Sequence, residues 1–338
     1  MPVALMSLPH DQPLVIACGA DDQYVQPLAV MLQSALTNLS SDRGVELYII
    51  DGGIEPSHKR DLVSSWNRSS VSLHWLSPLE SSFSGLPLWG RMPIATYYKL
   101  LIPEMLPATV HKAIWLDCDL VVTADLGRLW ENVLSGQHAL AVQDPAVPFV
   151  SSRNGVAHYE QLGIAREAKY FNAGVMVVDL DLWRRDHIPA RVIEYLRVHR
   201  DSVVFWDQEG LNAVLAGHWG ELDPRWNHSA SVHSPRARHG NGAISTKEAS
   251  SEPWITHFTG NLKPWVHPGS CTAAIYFHYL DSTAWAGWRP KRTFSRIALE
   301  LYETSGLRDV LYPAEERLMQ LHRALTRRYA PEKPGKGK

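Results

Sequence analysis

KAIWLDCDLVV, residues Lys112 to Val122, is the stretch from which the rest of the chain is best read. An apolar run, Ala113-Ile114-Trp115-Leu116, leads into two carboxylates one residue apart, Asp117 and Asp119, and the chain turns apolar again at Leu120-Val121-Val122. The run predicts a buried strand over Lys112 to Leu116, of the kind a parallel sheet requires. Residues i and i+2 of a regular strand face the same way, so both carboxylates could reach one cation. Their hard oxygens suit Mg2+ or Mn2+. Acidic pairs at strand ends also cap turns, so the motif takes its meaning from its surroundings.

Upstream, Leu14 to Ala17 predicts a strand ending in the polar turn Gly19-Ala20-Asp21-Asp22. A helix is expected over Tyr24 to Leu39, with Leu28, Met31, Leu32, Ala35 and Leu36 at helical spacing. Val45 to Ile50 and Val71 to Leu76 read as strands, Pro56 to Trp66 and Ile94 to Leu101 as helices. This order predicts an α/β fold, a mainly parallel sheet with helices on both faces. Such sheets bind ligands beyond the carboxyl ends of their strands. The Gly19–Asp22 turn and the Asp117–Asp119 pair both fall there. Downstream, a strand is expected over Gly174 to Leu180 and helices over Pro189 to His199 and Asp207 to Ala216. Ser229 to Pro253 lacks apolar periodicity and reads as a long functional loop, a lid over the site. One α/β domain is expected over residues 12–290, then a small C-terminal helical appendage and basic tail over 291–338.

A formal charge of −2 on 338 residues, with 45% hydrophobic and 20% charged residues, excludes a disordered chain and gives no reason to expect nucleic acid as a partner. The cysteines Cys18, Cys118 and Cys271 have no metal-ligand spacing and suit a reducing compartment. No apolar stretch nears the ~20 residues that span a bilayer. A cytoplasmic protein is therefore expected. Ala314 to Tyr329 brings Leu318, Leu321, Leu325 and Tyr329 near one helical face among four arginines. That helix predicts either packing on its own domain or peripheral contact with the inner face of the membrane. Most of the thirteen tryptophans are expected in the core; Trp89, Trp219 and Trp265, beside Gly, Pro or polar residues, could pack on sugar faces.

Five segments stand in a telling order: GADDQY at 19–24, ATYYKLLIPEMLP at 95–107, KAIWLDCDLVV at 112–122, YFNAGVMVVDLDLWRR at 170–185 and HFTGNLKPW at 257–265. WDQEGLN at 206–212 and RWNH at 225–228 lie between the last two. Over residues 12–290 the chain resembles glycosyltransferase family 8, retaining enzymes of the Rossmann-like GT-A fold with a mixed sheet. The resemblance implies a metal held by Asp117, Asp119 and His257. An imidazole beside carboxylates favours Mn2+, with Mg2+ the alternative. It implies Gly260 and Lys263 at a diphosphate, and Gly19, Asp21, Gln23 and Tyr24 around uracil and ribose, with Tyr24 stacked on the base. Cys118 joins the donor-binding set. Lys99 stands where the family often has an arginine, keeping the charge but losing the bidentate fork. Asn172, Asp207 and Gln208 match the sugar-contacting residues, with Gln208 facing the anomeric carbon. A neutral amide is a poor nucleophile, so substitution on one face of the sugar is expected, with Asp207 the fallback nucleophile.

The implied function is transfer of a hexosyl group, glucose or galactose, from a UDP-sugar to a glycan or lipid-linked acceptor. Read one by one, the residues leave plainer roles open. Asp21-Asp22 and Asp207 could cap helices, Lys263 could be a solvated surface lysine, and His257 a satisfied core histidine after a short strand, Trp254 to Thr256. A UDP-sugar hydrolase and a catalytically silent nucleotide-sugar-binding module also remain open. The first turn has no GxGxxG, which counts against a dinucleotide site.

Overall fold

The computed structural model describes residues 13–40, 43–66, 69–79, 86, 94–230, 252–260, 263–268, 272–291, 293 and 297. The helix expected over Ala314 to Tyr329, the basic tail, Trp89, Cys271 and residues 231–251 of the expected loop lie outside the described residues.

Strand β1 (Leu14–Ala20) is buried at every position, as a strand covered on both faces must be. Asp21 then caps a 3-10 turn, Asp22–Tyr24, that leads into helix α1 (Val25–Thr37). β2 (Val45–Asp51), α2 (Pro56–Ser64) and β3 (Val71–Leu76) follow. Ile94–Leu101, expected to be helical, winds as a 3-10 helix. Five consecutive residues, Tyr97 to Leu101, are buried there, a pattern that no single face of an α-helix provides. Next come α3 (Ile102–Met105), β4 (Lys112–Leu116), β5 (Leu120–Val122), α4 (Leu126–Trp130) and β6 (Ala139–Gln143). The chain continues through β7 (Phe171–Asp179), α5 (Leu180–Arg185), α6 (Ile188–Val198) and α7 (Trp206–Leu215). Then come β8 (Trp219–Glu221), β9 (His228–Ser229), β10 (Ile255–His257) and α8 (Ala273–Leu280).

The main sheet runs β3-β2-β1-β4-β7-β6-β8. Every strand pairs in parallel except β7, which is antiparallel to both β4 and β6. The expected mixed, mainly parallel α/β sheet is therefore the sheet of this protein, with a single reversed strand, β7, between β4 and β6. A smaller sheet, β5-β10-β9, lies across α1 from the main one. α1 is consequently covered on two sides, which explains why ten of its thirteen residues are buried. Its Ser34 hydroxyl accepts from the Val122 N–H at 2.9 Å, and Asn38 donates to the Val122 carbonyl at 3.0 Å, tying α1 to β5. Among the described residues no helix is long and apolar enough to cross a membrane.

Two details of the main sheet shape the site. A Cβ at Gly19 would come within 2.7 Å of the Tyr98 ring, and Gly52 is pressed against the same tyrosine, so both glycines make room for that side chain. Between Ala141 and Val142 of β6 the pairing with β7 jumps from Met176 to Asn172. Ala173, Gly174 and Val175 thus lose their partners on β6, at the end of the sheet where β4 delivers Asp117.

Candidate active site

Asp117, Cys118 and Asp119 form the turn between β4 and β5 and belong to neither strand. The pair therefore converges through a turn, and the same-face geometry of a continuous strand is not what brings it together. Strand pairing supplies the third group: His257 stands opposite Leu120 in the β10–β5 ladder, and the Phe258 N–H donates to the Asp119 carbonyl at 3.0 Å. Asp117, Asp119 and His257 each offer a ligand atom, all within 4.8 Å of one another. The Asp117 N–H donates to the Gly174 carbonyl at 2.8 Å, and Trp115 Nε1 donates to Asp117 Oδ1 at 2.7 Å. Gly174 is required on the other side, since a Cβ there would collide with the His257 ring.

Two lysines balance the carboxylates. Lys263 Nζ bonds Asp119 Oδ2 and the Phe258 carbonyl. Burial alone would raise Asp119, but Lys263 and His257 hold it well below the usual carboxylate range. Lys99 is 3% exposed and bridges Asp117 Oδ1 at 3.2 Å and Asp207 Oδ2 at 2.6 Å. Burial pushes its ammonium down, yet the two carboxylates outweigh that and keep it above the ordinary lysine value. For Asp207 burial dominates and raises the carboxyl, against the pull of Lys99 and of the Thr96 hydroxyl, which donates at 2.8 Å. Asp207 does not cap α7: the N-cap position is Phe205, and the Asp207 side chain turns to Lys99 and Thr96. Beside it, Trp206 holds a left-handed φ of 41°, strained for a bulky residue and stored next to two candidate site residues.

The register jump in β7 builds the far end. The Ala173 N–H, freed from β6, donates to Gln208 Oε1 at 3.2 Å, and the Gly174 N–H donates to Asn172 Oδ1 at 3.0 Å. Both amide nitrogens converge on one buried carboxylate oxygen: Gln208 Nε2 lies 3.0 Å and Asn172 Nδ2 3.2 Å from Asp144 Oδ2. Asn212 fixes α7 to the start of β7 by bonding both the Phe171 N–H and carbonyl, at 2.8 and 2.9 Å.

At the other extreme, Asp21 accepts the Gln23 and Tyr24 N–H groups, both at 3.1 Å, so its capping role is realised. Tyr24 meets Trp265 edge-to-face at 5.9 Å between centroids. Burial, and then the charge of Asp119, push the Tyr24 hydroxyl up. Gln23 is exposed at the rim. Gly19 is enclosed within β1, and what it meets is Tyr98. Gly260 follows β10 with a left-handed φ of 75° and open space where a side chain would be. Cys118 is part-buried between the two aspartates, and burial raises its thiol well above the ordinary value.

The structure thus joins Asp117, Asp119, His257, Lys263 and Cys118 in one group, Lys99 and Asp207 in an adjoining one, and Gln208 with Asn172 in a third. Sequence reading missed Asp144, Asn227 and Thr96. Asn227 lies in RWNH, but no local signal marks its side chain as the partner of His257 Nδ1, 2.9 Å away.

Residues 15–268 match the model of glycosyl transferase family 8. General stress protein A of Bacillus subtilis is 31% identical over 282 residues, spanning 80% of this chain and 94% of that protein. A lipopolysaccharide 1,2-glucosyltransferase of Escherichia coli is 24% identical, over 84% of this chain and 82% of its own length. Among solved structures, the galactosyltransferase LgtC in complex with donor and acceptor sugar analogs superposes with a TM-score of 0.66 at 24% identity, covering 84% of this chain and all of that one. The last likeness concerns the fold, which is that of GT-A glycosyltransferases.

Proposed function

The chain belongs to glycosyl transferase family 8, a glycosyltransferase family, and from that premise we propose that it moves a hexosyl group, glucose or galactose, from a UDP-sugar to a glycan or lipid-linked acceptor, with retention and with a divalent metal. The observation that carries the reading is the convergence of Asp117, Asp119 and His257 within 4.8 Å at the carboxyl end of β4, beside Lys263. Two carboxylates and one imidazole suit Mn2+, with Mg2+ the alternative. His257 fits the ligand role because its Nε2 lies 3.3 Å from Asp119 Oδ1, so one cation could be shared between the two atoms. When bound, the metal would neutralise charge on the donor diphosphate.

In this reading Tyr24 stacks on the uracil, and Asp21 and Gln23 reach its polar edge and the ribose. Lys263, now on Asp119, is close enough to turn to the diphosphate as it leaves. Gly260 lets the backbone approach those phosphates. Lys99 pairs with Asp207, and both lie under the sugar. Gln208 is held by Asp144 and Ala173, so its amide oxygen and nitrogen are already committed and it can stabilise an oxocarbenium-like centre without reorganising. A held, neutral amide is no nucleophile, which favours same-face attack with the departing phosphate oxygen taking the acceptor's proton.

Thermal stabilisation by UDP tests the donor and metal together. With Mn2+ and UDP at about a hundred times its dissociation constant, the native state should gain roughly 2.7 kcal/mol. EDTA or Asp119→Asn should abolish the gain. A UDP shift that ignores metal, or no shift under any metal, overturns the proposal.

A further inference from the structure

The ring of His257 and the amide of Gln208 stand at opposite ends of one hydrogen-bonded chain. His257 Nδ1 is 2.9 Å from Asn227 Oδ1; Asn227 Nδ2 donates to Asn172 Oδ1 at 2.9 Å; Asn172 Nδ2 and Gln208 Nε2 both donate to Asp144 Oδ2. The direction of every link is fixed. A carboxylate only accepts, so Asp144 forces both amides to present nitrogen to it. The Gly174 N–H independently requires the oxygen of Asn172 on its other side, as the Ala173 N–H does for Gln208. Asn227 Nδ2 faces two acceptors, the side-chain oxygen and the carbonyl of Asn172, so its oxygen must point at His257. An oxygen there accepts only from a protonated Nδ1. Nε2, 3.3 Å from Asp119 Oδ1, is then the nitrogen left for a cation, which would take the place of any proton shared with that carboxylate.

We infer that Asp144, acting through Asn172 and Asn227, selects which ring nitrogen of His257 is bare, and is a positioning residue for the metal site from the opposite end of the cleft. This rests on the proposed role of His257 as a metal ligand. The same carboxylate orients Gln208, so one buried group sets the polarity of the proposed metal end and sugar end alike.

Asp144→Asn opposes the chain at its source, against the hold of the Gly174 and Ala173 N–H groups. The Ala146 and Val147 N–H groups both point at the Oδ1 position, 2.8 and 3.2 Å away, so the new amide oxygen stays there. Its NH2 then confronts the amides of Asn172 and Gln208. Turning Asn172 over turns Asn227 over, and the histidine is left with the Nε2–H tautomer. Ring nitrogen spectra of histidine-labelled protein, in the neutral ring form, should show His257 with Nδ1–H in the wild type and with Nε2–H or a mixture in Asp144→Asn. Calorimetric Mn2+ affinity should fall about 10- to 100-fold.

The double variant Asp144→Asn with Asn227→Asp restores an acceptor-only group beside His257 and should recover both the Nδ1–H tautomer and metal affinity. A purely structural Asp144 would give no such rescue. If Asp144→Asn fails to fold, Asn227→Leu cuts the chain at its other end and should likewise lose the single tautomer. A wild-type ring already in the Nε2–H form, or an unchanged tautomer in folded Asp144→Asn, overturns the inference. Absence of Mn2+ binding to the wild type would instead sink the ligand role of His257, and the spectra would still decide the tautomer.

Discussion

Asp119 and Gln208 are both held in place before any ligand arrives, by opposite means. Asp119 is fixed by charge: Lys263 and His257 surround it, and the strand ladder of β5 and β10 brings them there. Gln208 is uncharged and is fixed by two hydrogen bonds, one to the Asp144 carboxylate and one from the Ala173 N–H, and the second exists because β7 slips out of register with β6. A charge-held group keeps its partners through small shifts, since Coulomb attraction falls slowly with distance. A bond-held group depends on the register of a whole strand. The metal end should therefore fail through lost charge, and the sugar end through lost alignment.

The largest effect is expected at the charged end. Asp119→Asn should slow transfer about 10³-fold or more, because metal-borne stabilisation is worth several kcal/mol. Transfer within tenfold of the wild type would break the contrast outright. Gln208→Ala should lower kcat about 10²-fold while UDP affinity holds within about threefold, the signature of an interaction used in the transition state. If UDP affinity falls instead, the two ends are not separable. Asn212→Leu tests alignment through stability: it strands the buried N–H and carbonyl of Phe171 and should cost about 2–4 kcal/mol in urea unfolding. A loss under about 1 kcal/mol would show that the register of β7 does not need α7.

The smallest effect lies outside the cleft. Asp281 is pulled down to about 2 by the Arg289 side chain and the Gly287 N–H. A depressed carboxyl stabilises the fold above its unfolded pKa, about 3.9, and loses that contribution as pH falls towards its folded value. The stability gap between wild type and Asp281→Asn should close between pH 4 and pH 2. Both partners are well exposed, so the gap is small throughout.

The charged half was legible in the sequence. An acidic pair after an apolar strand and the order of strands and helices through β4 carry local signals, and the structure keeps those elements within a few residues at each end; His257 was marked by the resemblance of HFTGNLKPW to the family. The amide half was not. Nothing around Ala141 and Val142 announces a register jump, because slipped pairing is a property of two strands, and one sequence segment carries no trace of its partner. Asp144 is one of 35 acidic residues, and what makes it distinctive is that two amides from different elements point at it. β6, β8 and α8 went unread because short runs carry too few periods to distinguish. Asp207, expected as a sugar-contacting residue with helix capping as its plainer alternative, is the partner of a buried lysine, a contact between residues 108 positions apart that no local pattern encodes.

β9 and β10 run parallel, pairing His228 with Thr256 and Ser229 with His257. Adjacent parallel strands cannot be joined by a tight reversal; the chain must first travel back past its own starting level, which takes a dozen or more residues. The return is already moored where it re-enters, with the Trp254 N–H on the Arg225 carbonyl at 2.9 Å and its ring 3.6 Å from the Arg225 guanidinium. For protein engineering this sets a floor: the connection between Ala230 and Glu252 cannot be trimmed to a hairpin without breaking the parallel pairing beside which His257 stands opposite Leu120.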